Sequence, residues 1–209
     1  MKHLKTLITA IMTVGTLLNA TAQSQHLSPK MTEYRNGCQK MLDGIANKDK
    51  YALYEAKADF AKISMETIEP TCKEGDKAEE KPEILFCQEY ADALIKNNFI
   101  LNKLDDIAIM RNADDSDLLV FHKAVDAHGI LTYEWEGSGK CEMLLVTKDG
   151  EKMKVTVTDK TNGKVYTAQP DGKGNMNYVA WDMGDHDSTY TIRIENLTDK
   201  RVSFAVALN

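Results

Sequence analysis

The chain has 209 residues, of which 43% are hydrophobic and 28% charged, with 4 Pro and 12 Gly. That length allows one large domain or two small ones, and the composition excludes a disordered, collagen-like or multi-span membrane protein. A formal net charge of −6 excludes a sequence-independent nucleic-acid binder, which needs a basic stripe to displace counterions from phosphate.

The first feature in chain order is an export leader. Lys2 and Lys5 make a short positive start, Leu7 to Leu18 form an apolar stretch, and Ala20-Thr21-Ala22 supplies small residues for cleavage before Gln23. The apolar stretch is shorter than the roughly 20 residues of a spanning helix, and no cysteine stands at the cleavage point to take a lipid. Residues 1–22 are thus expected to be a signal peptide, the mature protein being periplasmic or extracellular with no transmembrane anchor. Losing Lys2 and Lys5 without losing an acid leaves the mature chain more acidic still.

Residues 23–128 are expected to form a helical bundle. Ser28 followed by Pro29 reads as an N-cap and a first-turn proline, and Met31, Tyr34, Cys38, Met41, Leu42 and Ile45 recur at spacings of three and four. After a polar break at Asn47, Lys48 and Asp49, a second run carries Tyr51, Tyr54, Ala58, Ala61 and Met65 and ends before Pro70. Cys72 to Lys81 is a charged loop. Pro82 opens a third helix with Leu85, Ala91, Leu94 and Ile95 inward, and Asp114, Asp115 and Ser116 cap a last short helix bearing Leu118, Phe121 and Val125, ended by Gly129.

From residue 129 the period changes to two. Leu131, Tyr133 and Trp135, then Met153, Val155 and Val157, then Tyr190, Ile192 and Ile194 alternate with polar residues. Residues 141–147, 164–167, 176–182 and 202–208 complete about seven strands, punctuated by Asp149-Gly150, Asn162-Gly163 and Asp171-Gly172. Residues 129–209 are therefore expected to form an antiparallel β-sandwich, jelly-roll-like, and the whole chain an α+β protein of two domains. The aromatic strand ending in Glu136-Gly137-Ser138-Gly139, the Leu144-Leu145-Val146 strand before Asp149-Gly150, and Thr189 to Asn196 followed by Val202-Ser203-Phe204 give this region an order of features that resembles the small β-sandwich modules of the pre-peptidase C-terminal and GOLD types. The resemblance spans roughly the last 80 residues and implies a non-catalytic accessory or interaction module. The helical region resembles no family recognised in its residues.

Four cysteines, Cys38, Cys72, Cys87 and Cys141, all lie beyond the leader, and an oxidising compartment predicts two disulfides with three connectivities open. Cys72 with Cys87 is the preferred link, because it closes a loop of about 15 residues and contributes on the order of 3 kcal/mol. Free thiols packed as small hydrophobes are the alternative. The spacings match no thiolate zinc site. Asp182, Asp185 and Asp187, with His186 among them, form the densest run of hard ligands and the preferred candidate for Ca²⁺, against the simpler reading of a solvated turn; Asp114, Asp115 and Asp117 could do the same but are explained by helix capping, and no other cofactor is expected. His122 and His128 fall on different faces of the expected helix, and Glu134 and Glu136 share a solvated strand face.

No Ser-centred elbow, phosphate loop or Cys–His nucleophile pattern occurs, so no catalytic residue is expected. The sequence predicts an exported, non-catalytic binding protein with a protein partner in the cell envelope. The alternative is a carbohydrate-binding module in which Trp181, with Tyr178, presents a flat aromatic platform.

Overall fold

The computed structural model describes residues 27–73, 82–100, 118–137, 139–170, 174–182 and 188–209. Their architecture is mixed, with three helices and two sheets, the strands concentrated in the C-terminal part. No helix among the described residues is long and apolar enough to cross a membrane. The leader at 1–22 lies outside them.

Helix α1 runs Pro29–Asn47, begun by Ser28, whose hydroxyl accepts the Met31 N–H. It ends at Lys48 in the left-handed conformation, with the Asp49 N–H returning to the Gly44 carbonyl at 2.9 Å. Asp49 then caps helix α2, Lys50–Phe60, by accepting the Tyr51 N–H. The two helices run antiparallel at close approach because α1 carries glycine where α2 carries bulk. A Cβ on Gly37 would lie 2.8 Å from the Phe60 ring, and one on Gly44 would lie 2.9 Å from the Leu53 side chain. Gly37→Ala sets a helix-propensity gain of at most about 1 kcal/mol against displacement of a buried aromatic ring. We expect a net loss of about 2 kcal/mol in chemical denaturation; a stabilised variant would show that the helix pair can separate freely. The pair is also pinned by charge. Asp59, buried on α2, meets Lys40 of α1 at 2.7 Å and Lys62 at 2.6 Å. Burial opposes ionisation of Asp59, but the two ammonium groups outweigh it and hold the carboxyl below its ordinary value.

Strand β1, Met65–Thr67, follows, and helix α3 spans Gln88–Lys96. Strand β2, Leu118–Val125, stands where the helical spacing of Leu118, Phe121 and Val125 suggested a last short helix. It pairs in parallel with β1 and antiparallel with the C-terminal strand. Two strands on the N-terminal side of residue 129 thus belong to the same sheet as strands beyond it. The third helix also begins six residues after Pro82.

The remaining strands are β3 (Ile130–Gly137), β4 (Lys140–Thr147), β5 (Met153–Asp159), β6 (Val165–Thr167), β7 (Gln169–Pro170), β8 (Met176–Asp182), β9 (Ser188–Asn196) and β10 (Val202–Leu208). One sheet has the order β1-β2-β10-β4-β8-β7 and the other β3-β9-β5-β6. The six-stranded sheet is covered on both faces. On one side Leu118, Val120, Leu144, Val146, Met176, Ala205 and Ala207 pack with the helices. On the other, Phe121, Met143, Leu145, Val179, Phe204 and Val206 pack with Leu131, Tyr133, Val155, Val157, Ile192 and Ile194 of the four-stranded sheet. Strand β10 states the rule most simply: Ala205 and Ala207 face the helices, while Phe204, Val206 and Leu208 face the second sheet. Small residues let the helices approach, and large ones fill the space between sheets.

The helical layer is tied to this sheet by polar clamps. The Ser28 N–H donates to both oxygens of Glu142 on β4 at 3.0 and 3.1 Å, and the Asn209 side-chain amide reaches the Ser28 hydroxyl at 3.2 Å. The segment before α3 is held by the Ser203 hydroxyl, which accepts the Glu83 N–H at 2.9 Å, and by His122, whose Nε2 accepts the Phe86 N–H at 2.8 Å.

All four cysteines are free, which corrects the expected disulfides. The preferred partners Cys72 and Cys87 belong to different cores, Cys72 packing against the one between the sheets and Cys87 lying in the one beneath the helices, so the six-stranded sheet separates them. Cys38 shares the helical core and Cys141 the inter-sheet core. Burial pushes the Cys87 thiol up to about 12 and the Cys141 thiol to about 11, and raises Cys38 well above its ordinary value.

Candidate binding surfaces

Trp181 does not form an exposed platform. It is 3% exposed, directed between the sheets, with its ring 5.9 Å from that of Tyr190. Tyr178, three residues earlier on β8, lies on the opposite face and packs against the helical core. The sheet therefore keeps the two aromatics apart. Burial pushes the Tyr178 hydroxyl up to about 12, with Glu142 adding to the rise. Asp182 ends β8 at the surface, while Asp185, His186 and Asp187 lie outside the described residues. Trp135 is half-buried against the inter-sheet core.

The other polar candidates resolve into structural roles. Glu134 is exposed on β3 and accepts from Lys73 and Lys160, each at 2.9 Å; these two ammonium groups hold its carboxyl down at about 2. Glu136 is exposed on the same face. His128 sits in the turn between β2 and β3 at a φ of 54°, not at a helix end, and meets Asp199 at 2.8 Å. His122 projects from the helix-facing side of β2 with Val120.

Two concave features occupy opposite ends of α2 and α3. The first is an open groove of about 510 Å³ lined by Lys48, Asp49, Lys50, Tyr51, Asn98, Phe99 and Ile100. Tyr51 is 83% exposed and Ile100 68% exposed. Its shape comes from left-handed backbone at Lys48, Asn98 and Phe99, where φ is 51°, 51° and 67°. A bulky residue such as Phe rarely adopts that conformation. Here the Phe99 N–H closes onto the Leu94 carbonyl at 2.8 Å, which ends α3, turns the Phe99 ring toward the helical core and leaves Ile100 outside. The rim is basic, since Lys48 and Lys50 flank an Asp49 carboxylate already engaged as an N-cap.

The second is a cavity of about 140 Å³ beneath the helices, walled by Phe60, Ile63, Met65, Phe86 and Val120, with Thr67, Cys87, Gln88, Glu89 and His122 as its polar groups. Burial pulls the His122 imidazole down to about 4. Sequence periodicity had no way to find this site, because it depends on β2 being a strand and on the segment before α3 crossing above it.

No family model matches the chain, and no curated protein matches it either. Among solved structures, the pre-peptidase C-terminal domain of a collagenase from Bacillus anthracis is similar at 9% identity and a TM-score of 0.28, over 46% of this chain and 80% of that one. A family GH115 4-O-methyl-α-glucuronidase is similar at 14% identity and a TM-score of 0.28, over 42% of this chain and 14% of that one. The Bacillus licheniformis lipase BlEst2 in its propeptide form is similar at 11% identity and a TM-score of 0.32, over 56% and 26%. Likenesses this slight assign no family and no activity.

Proposed function

We propose that this protein is exported and acts by binding another protein, seating a partner's apolar side chain in the groove between Tyr51 and Ile100. The reading rests on one observation: two large apolar residues stand exposed side by side on a strongly charged chain, over a groove whose strained backbone holds Ile100 outward. Scattered exposed apolar residues mean little, but a convergent pair over a concavity has the form of an interaction site. The Lys48 and Lys50 rim selects a partner segment with a carboxylate beside its apolar anchor.

The test places a photo-crosslinking amino acid at position 51 or 100 of the full chain and exposes it to envelope extract. The expected result is one partner, crosslinked from both positions through an apolar segment with an adjacent acid. Its capture should fall at least tenfold in Tyr51→Ser/Ile100→Asp, as for loss of a buried anchor. That variant should keep its unfolding midpoint, since neither side chain is buried. Equal capture by the variant, or crosslinks only to glycans, overturns the reading.

A further inference from the structure

The cavity beneath the helices contains a hydrogen-bond donor with no acceptor among the described residues. His122 Nε2 accepts the Phe86 N–H at 2.8 Å, so Nε2 carries no proton and the neutral ring carries its proton on Nδ1. No residue among those described accepts from that Nδ1–H. The ring lines the cavity, and Val120, its neighbour on the same face of β2, continues the wall. The imidazole donor thus stands in a chamber whose apolar wall is Phe60, Ile63, Met65, Phe86 and Val120 and whose other polar groups are Thr67, Cys87, Gln88 and Glu89.

From this chamber we infer a binding site for a small uncharged molecule that has an apolar body and a carbonyl or ether oxygen, the oxygen accepting from His122 Nδ1–H. The size fits: about 140 Å³ is comparable to cavities of roughly 150 Å³ that take a single aromatic ring. Charge narrows the class. Glu89 is the acid among the described lining residues and repels a carboxylate, while an ammonium brings no acceptor for the imidazole donor. The Thr67 hydroxyl lines the same cavity and offers a second polar contact. The site lies at the opposite end of α2 from the Tyr51 groove, roughly 16 Å away along an 11-residue helix, so the two stand or fall separately.

Acetophenone and ethylbenzene, nearly equal in size and differing in one acceptor oxygen, are the probes. Titrated into the full ¹⁵N-labelled chain, acetophenone should bind saturably, shift the His122 ring nitrogens and the Phe86 amide, and bind roughly tenfold more tightly than ethylbenzene, as one added hydrogen bond allows. Ile63→Trp should fill the cavity and abolish binding of both. Ala61→Leu narrows it from an exposed position at the end of α2, where folding is not at risk, and should weaken both. Equal affinities for the two probes, an unperturbed His122, or binding unchanged in Ala61→Leu would each overturn the assignment and leave ordered water as the occupant.

Discussion

Acidification from pH 7 to pH 4 will remove up to about 3 kcal/mol of stability through one side chain, His122. The group is pulled from its ordinary value of 6.5 to about 4 by burial. The neutral ring is the form that accepts the Phe86 N–H, and a protonated Nε2 would place a second donor against that N–H. The unfolded chain takes up the proton near pH 6.5 and the folded one only near pH 4, so the unfolded state binds more protons in that window. Stability is therefore complete above about pH 6.5, falls as the pH drops toward 4, and loses nothing further from this group below that. The figure is a ceiling, since the ring is partly open to the cavity and Glu89, lining the same space, favours the charged form. Among the described residues, Gln88 and Glu89 on α3, the neutral Cys87 thiol at its N-cap and Thr67 on β1 are the titratable or polar neighbours across the cavity. Carboxylates held below their ordinary values, such as Asp59, Asp92 and Glu195, lose their contributions as the pH falls through the carboxylate range, and they do so whatever stands at position 122. Comparing the native chain with His122→Gln, which keeps an uncharged acceptor, isolates the histidine. Urea unfolding at several pH values should show a slope of nearly one proton between pH 4 and 6.5 that the glutamine variant lacks. Parallel slopes would mean that His122 titrates normally and that its bond to Phe86 contributes little.

Asn196→Ala will cost about 3 kcal/mol, comparable to the truncation of a large core side chain. Asn196 is 2% exposed at the end of β9. Its amide donates to the Val125, Asp126 and Lys200 carbonyls at 3.3, 2.9 and 2.7 Å. Its Oδ1 accepts the Thr198 N–H and hydroxyl at 2.9 and 2.8 Å. One side chain thereby binds the turn leaving β2 to the turn between β9 and β10, at the corner where the chain passes from the six-stranded sheet to the four-stranded one. Alanine leaves several backbone groups without partners, and an unmade buried bond costs more than a made one contributes. Asn196→Asp should be no better, because a carboxylate turns two donors into acceptors facing carbonyl oxygens. A loss below 1 kcal/mol in either variant would show that water reaches these carbonyls and replaces the amide.

The legible parts of the fold were those in which one face of an element is buried and the other is wet. Helix α1 follows its spacing of three and four from the Ser28-Pro29 start, and β3, β5 and β9 follow period two, because each presents a single apolar face. Strand β2 was not legible. Leu118, Leu119, Val120 and Phe121 form a continuous apolar run since helices cover one face and the second sheet the other, and such a run satisfies a helical spacing as easily as an extended one. The same double coverage put Trp181 and Tyr178 in two different cores and removed the expected platform, as period two says that they differ in face and not which face is wet.

Sequence alone determined the start of α1, the turns at Gly150 and Gly163 and the alternation within β3, β5 and β9, because these depend on neighbours a few residues away: an N-cap oxygen, a glycine at positive φ, a polar residue every second position. The tertiary structure decided everything that depends on chain segments far apart. It placed Cys72 and Cys87 on opposite sides of a sheet, made His122 the acceptor for a backbone N–H 36 residues away, and opened a cavity between α2, β2 and α3. Those outcomes follow from which faces the six-stranded sheet has covered, a property of the assembled layers that no local pattern of residues encodes.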